Sequence, residues 1–175
     1  MALKRALRGQ VSPFIVMDVM RAANALESAG ESILHMEVGQ PGTGAPSGVI
    51  EAVCKAVREE RLGYTDAFGM PALREAIQAH YAKTYGVAVP LERIAVTTGS
   101  SGAFVLGFLA AFDAGDRVAL AAPGYPAYRN ILQSLGVEVV EIPVGPETNF
   151  QPTPELLARI AEPLDGLIIA SPSNP

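Results

Sequence analysis

The sequence holds a single cysteine, Cys54, so it can form no internal disulfide, which suits a reducing compartment. With Ile50, Val53 and Val57 close by, Cys54 is expected to be a small buried hydrophobe rather than a nucleophile. Basic runs are also missing. Thirteen Lys and Arg stand against eighteen Asp and Glu, a formal net charge of -5, and Lys4, Arg5 and Arg8 are too few to offset it. That balance excludes a general nucleic-acid binder and a ligand for anionic membranes. No apolar run approaches the length of a membrane span, and the N-terminus is mixed in composition rather than a compact signal core. The expectation is a soluble cytoplasmic protein that binds neither nucleic acid nor membrane. The two histidines, His35 and His80, have no second His, Cys or carboxylate at metal-site spacing, so no metal site is expected and His35 is assigned no role.

What is present is a globular composition, 49% hydrophobic and 18% charged over 175 residues. Residues 1 to 12 lack periodicity and read as an arm. Val16, Met20, Ala23 and Leu26 recur at helical spacing up to Gly30, and 32 to 38 reads as a short strand leading into Gly39. A second helix is expected from Gly48 to about Arg61, with Ile50, Val53, Cys54 and Val57 as its apolar stripe. A third runs from Pro71 to about Tyr85, where Leu73, Ile77 and Tyr81 share a face.

From residue 93 the pattern changes. Arg93 to Thr98 reads as a strand, Gly99-Ser-Ser-Gly102 as a tight turn, and the run from Ala103 to Phe112 as a helix apolar nearly all round and therefore buried in a core. Strands are expected at 117 to 123, 137 to 143 and 166 to 170, with helices at 125 to 135 and 154 to 161 between them. This alternation implies parallel strands joined by crossovers, an α/β sheet covered on both faces. Ligands bind beyond the carboxyl ends of such strands. Three segments of special chemistry lie there: Gly99 to Gly102, Pro123 to Pro126 and Ser171 to Pro175. The first leaves backbone N–H groups of a helix N-terminus open to an anion, although small residues also make an ordinary strand-to-helix connection. Tyr125 is equally at home in a Pro/Gly turn, and Ser-Asn-Pro is good turn chemistry for Asn174.

Taken together, Val38-Gly-Gln-Pro-Gly42, Gly63-Tyr-Thr-Asp-Ala-Phe-Gly-Met-Pro71 with the Ala-Leu-Arg-Glu-Ala-Ile77 that follows, Pro123-Gly-Tyr-Pro-Ala-Tyr128 and Ser171-Pro-Ser-Asn-Pro175 resemble the fold-type I pyridoxal-phosphate enzymes, and among them the class I/II aminotransferases, over essentially the whole chain. The resemblance implies an incomplete three-layer α/β/α sandwich with a mainly parallel sheet, the large domain, spanning 45–175. Residues 1–44 would form an N-terminal arm and the start of the small domain. It implies pyridoxal 5'-phosphate as cofactor, with Gly99, Ser100 and Ser101 at its phosphate, Tyr125 stacked on its ring and the Asn174 amide at its phenolic oxygen. Tyr128 is expected as a helix packing residue. Tyr64 matches the tyrosine that reaches a neighbouring subunit's cofactor, hence a homodimer with shared active sites, and Gly39 the glycine whose N–H helps hold the substrate carboxylate.

The implied reaction moves an amino group from an amino acid to a 2-oxo acid. It needs a Schiff-base lysine, an acid at the pyridine nitrogen and an arginine for the substrate carboxylate. In the family all three lie downstream of the Ser-x-x-Asn-Pro segment. The lysines here, Lys4, Lys55 and Lys83, fall in the arm and on two helices, so no catalytic residue is expected in this chain, which reads as the N-terminal part of a longer aminotransferase. The strand at 93 to 98 would then lack its sheet neighbour. The alternatives are a β-lyase or synthase of the same fold, which the cofactor-site residues do not separate from an aminotransferase, and a non-enzymatic regulatory or binding module that retains part of the cofactor site. A polypeptide of these 175 residues alone is expected to release no 2-oxo acid from amino acids in a transamination assay; measurable turnover would contradict the reading.

Overall fold

The computed structural model describes residues 3, 4 and 6–174. Met1, Ala2 and Arg5 of the arm, and Pro175 of the Ser171–Pro175 motif, lie outside the described residues. The helices are α1 (Ile15–Ser28), α2 (Ser47–Glu59), α3 (Pro71–Tyr85), α4 (Gly99–Ala111), α5 (Pro126–Leu135) and the short α6 (Pro154–Leu157); the strands are β1 (Arg117–Ala122), β2 (Glu138–Pro143) and β3 (Gly166–Ile168). By packing, the chain divides into two compact units, one from the arm to Asp18 together with Gly99 onward, the other Val19–Thr98. These contact limits fall elsewhere than 44/45.

In the first unit β1 lies between β2 and β3, and both pairings are parallel. Parallel neighbours need crossovers, which the α5 and α6 segments supply. Alternation along β1 sends Val118 and Leu120 to one face and Ala119 to the other. The first pair packs with Leu132 and Val137 and against Phe108 of α4, Phe112 just after it, and Tyr128 and Leu135 of α5. Ala119 packs with Ile142 and Val144 and against Leu156, Leu157, Ile160 and Leu164. Helical or turn segments therefore cover both faces, giving the three layers of an incomplete α/β fold. Gly166 permits the close approach of Phe112, just after α4, to β3, since a Cβ there would lie 2.5 Å from the Phe112 ring. Arg117 fastens the amino ends of the strands, its Nε 3.0 Å from Glu138 and its Nη1 donating to the Pro163 carbonyl at 2.8 Å.

Helix α4 departs from expectation. None of its residues is fully buried, and Leu106 and Leu109 are 62% and 59% exposed. An all-apolar helix predicts cover on every side, whereas here Phe104 and Phe108, on the inner side, carry the packing against α5 and the sheet.

The second unit corrects several expectations. Residues 32 to 38 form no strand, and Leu34 and Met36 lie exposed, because no described strand pairs with them. Cys54 and the α2 stripe are exposed rather than buried. Helical spacing establishes that residues share a face but not that another element covers it. On α3 the packed side is the polar one. Arg74 Nε donates to the Ile94 carbonyl at 2.9 Å and its Nη2 to Leu91, while Gln78 Nε2 donates to Val89 at 2.7 Å. Of the face expected to be shared, Leu73 and Tyr81 are exposed and Ile77 is half-buried. The reason lies in the segment from Val89 onward. Its expected strand forms no ladder, so its carbonyls need other donors, and Arg74 and Gln78 provide them. The segment is also tied by a backbone hydrogen bond, Val96 N–H to the Phe68 carbonyl at 3.0 Å. Gly69 makes this approach possible with φ +98° and a Cβ position 2.7 Å from the Val96 side chain.

Leu132 is completely buried beside Val118. Leu132→Ala is expected to cost about 2–5 kcal/mol in urea denaturation, and Gln133→Ala, exposed on the same helix, less than about 0.5 kcal/mol.

Candidate functional site

Three parallel strands put their carboxyl ends on one edge of the sheet. The chain leaves β1 toward β2, on the side away from β3, so a crevice opens between the carboxyl ends of β1 and β3, where such sheets take ligands. Leu120 and Ile168, from these two strands, form its floor; Gly124, Tyr125 and Tyr128 follow β1, Phe150 and Gln151 follow β2, and Ser173 and Asn174 follow β3.

Local backbone chemistry aims each loop. After β1, a Cβ on Gly124 would meet the Ala121 carbonyl oxygen at 2.7 Å, so only glycine turns here without displacement. Pro126 then starts α5 at its first position, leaving Tyr125 as the residue just outside the helix. The Tyr125 ring is half-buried and meets Phe14 at 6.1 Å and Tyr128 at 5.4 Å, with interplanar angles of 89° and 83°. After β2, Asn149 and Phe150 both adopt left-handed φ, 51° and 56°. Such a conformation costs non-glycine residues on the order of 1–2 kcal/mol each, less for asparagine. The Phe150 N–H closes the turn on the Gly145 carbonyl at 2.9 Å, and Gln151 Nε2 donates to the Ala170 carbonyl at 3.1 Å, tying this loop to the one after β3.

The fold thus brings Tyr125 and Asn174 into one crevice. Gly99, Ser100 and Ser101 lie outside its lining, exposed in the first turn of α4. Gly99 has φ +74° and nothing within 4 Å of its Cβ position, so conformation rather than space calls for glycine there. Gly39 and Tyr64 belong to the second unit. Gly39 is exposed with open space around it. Tyr64 is fully exposed in a surface hollow formed by residues 60–72. Tyr128 both packs in the core and lines the crevice, and Phe150 and Gln151 are lining residues that sequence reasoning missed. The one available signal was Asn149, a residue type that tolerates left-handed backbone. Among the described residues no cluster of His, Cys, Asp or Glu could hold a metal ion, and no helix is long and apolar enough to cross a membrane.

His35, four residues before Gly39, is not solitary. Its Nδ1 lies 2.8 Å from Glu37 Oε1 and its Nε2 3.5 Å from Glu27 Oε2, joining the 31–38 segment to the last turns of α1. The Glu37 hydrogen bond raises the His35 pKa above its ordinary 6.5, helped by the charges of Glu37 and Glu27, and the same bond lowers that of Glu37.

Residues 31–175 match the family model described as aminotransferase class I and II. Among curated relatives, the valine–pyruvate aminotransferase of Mycobacterium tuberculosis is 53% identical over 170 residues, which is 97% of this chain and 44% of that protein. A crystal structure of an aminotransferase from Mycobacterium tuberculosis superposes with a TM-score of 0.93 at 52% identity, over 99% of this chain and 45% of that one. The aspartate aminotransferase of Thermus thermophilus with maleate gives a TM-score of 0.91 at 30% identity, over 99% and 46%. The chain spans less than half the length of these relatives.

The pairing of His35 makes a prediction of definite sign. A raised imidazole pKa means that its contribution is present below pH 6.5 and fades as pH rises through the raised value, while the lowered Glu37 pKa makes the pair fade again in acid. In an NMR titration the His35 midpoint is expected above 6.5, and Glu37→Gln is expected to bring it down; an unmoved midpoint would rule the pairing out.

Proposed function

The chain belongs to the class I and II aminotransferases, and from that premise we propose that it is the amino-terminal part of a pyridoxal-phosphate-dependent enzyme that moves an amino group from an amino acid to a 2-oxo acid. The observation that carries this reading is the meeting of Tyr125 and Asn174 in one crevice at the carboxyl ends of β1 and β3. The donor set suits the cofactor. A flat aromatic ring, an apolar floor of Leu120 and Ile168, and an amide at the rim match a planar ring with a polar edge. Tyr125 would stack on that ring, the Asn174 amide would donate to its phenolic oxygen, and the first-turn N–H groups and hydroxyls of Gly99, Ser100 and Ser101 would take its phosphate. When bound, pyridoxal 5'-phosphate supplies the electron sink for amino-group transfer.

In this reading the chain's own residues bind and orient, and none of Lys4, Lys55 and Lys83 is the Schiff-base lysine; Lys55 lies 3.8 Å from Glu59 on α2. Gly39 would offer its N–H to the substrate carboxylate, and the fully exposed Tyr64 supports a homodimer in which it reaches the second subunit's cofactor. The domain division 1–44 and 45–175 belongs to the same proposal, as does a cytoplasmic location, supported by the lone unpaired thiol. Valine and pyruvate are the first substrates to try, because the 53% identical relative is named for them.

The test uses the full-length protein. It is expected to bind pyridoxal 5'-phosphate and to form alanine from pyruvate with an amino-acid donor. Tyr125→Ala is expected to weaken cofactor binding roughly threefold to tenfold, and Asn174→Ala about fivefold, the loss of one hydrogen bond. Absence of cofactor binding, or two variants that bind as well as the parent, would sink the proposal.

A further inference from the structure

The chain has six Phe and five Tyr, and six of these eleven rings stand in one file within the first unit. Phe14 meets Tyr125 at 6.1 Å, Tyr125 meets Tyr128 at 5.4 Å, Tyr128 meets Phe104 at 4.8 Å, Phe104 meets Phe108 at 5.8 Å, and Phe108 meets Phe112 at 6.1 Å. The far end is anchored, since Phe112 lies against β3 where Gly166 leaves no room for a Cβ. The near end is the N-terminal arm. Its attachment to α5 is polar as well as aromatic: Asn130 Nδ2 donates to the Ser12 carbonyl at 3.2 Å, two residues before Phe14.

Crowding at Gly124 and the proline ring of Pro126 fix the backbone around Tyr125, but neither restrains rotation of the tyrosine side chain. That restraint comes from the rings that touch it. Tyr128, one turn on in α5, stands at 83° to it, and Phe14, from the other end of the unit's sequence, stands at 89°. Perpendicular contacts are a favoured aromatic geometry, and two of them define a plane where one leaves a degree of freedom. We propose that Phe14 is a positioning residue: the arm, seated on α5, sets the plane of the Tyr125 ring and so the affinity of the crevice for a planar cofactor. The inference rests on the reading of Tyr125 as the stacking residue. It makes the arm part of the cofactor site without contact between arm and cofactor.

The experiment is a double-mutant cycle in the full-length protein, with the apo form titrated with pyridoxal 5'-phosphate and the visible circular dichroism of the bound cofactor recorded. Phe14→Ala is expected to weaken binding roughly threefold to tenfold and to change the dichroism, and to do neither in a Tyr125→Ala background. A Phe14→Ala effect of the same size in both backgrounds would overturn the inference, because a general loosening of the arm does not act through Tyr125. It is overturned equally if Phe14→Ala leaves binding unchanged while Tyr125→Ala weakens it, a result that spares the stacking role. If Tyr125→Ala alone leaves binding unchanged, the stacking role fails and takes the inference with it. Phe14→Leu, which keeps apolar volume and removes the ring, replaces Phe14→Ala in the same cycle should the alanine variant not fold.

Discussion

Pairing of β1 on both of its edges is the constraint from which the crevice follows. Val118 and Ala119 are entirely inaccessible and Leu120 nearly so, because parallel neighbours take the backbone groups and layers on both faces take the side chains. A strand held in this way ends at a defined place and direction. With β2 and β3 parallel to it, the three outgoing loops have no choice of edge. Tyr125 and Asn174, separated by 49 positions in the sequence, become neighbours through that geometry and not through local preference.

The second unit shows what happens where pairing is missing. The segment from Val89 to Ile94 was expected to lead into a strand, yet it has no ladder, and its carbonyls are met instead by Arg74 and Gln78 of α3. A buried or half-buried carbonyl requires a donor from somewhere, so a polar face became the packing face of that helix. Likewise His35 found Glu37 and Glu27 in a segment without strand partners.

The file of aromatic rings links these considerations to the site. Tyr125 lies at its second position, between the arm and the helix that follows β1. Rings in perpendicular contact resist rotation, so a crevice whose loops are set by the sheet gains a side chain whose plane is set by packing. Gly124 and Gly166 belong to the same design, each absent of a Cβ because backbone or ring already occupies the space.

The sequence by itself determined the elements that local chemistry encodes. Apolar runs alternating with helical patterns gave β1 to β3, and Pro71 and Gly86 marked the ends of α3, because periodicity and fixed or left-handed φ are written into residue type. The segments at the strand ends were legible as turn chemistry, and the roles expected of their residues came only from the resemblance to the aminotransferases. Only the tertiary structure decided which apolar faces are covered, as the exposed stripe of α2 and the outer side of α4 show, since burial depends on a second surface that a periodic pattern does not specify. It also decided that Phe14, Tyr128, Phe150 and Gln151 gather around Tyr125 and Asn174. Except for Tyr128, one helical turn from Tyr125, those residues come together across long sequence separations, and the free energy that holds them comes from packing and hydrogen bonds formed when the strands pair.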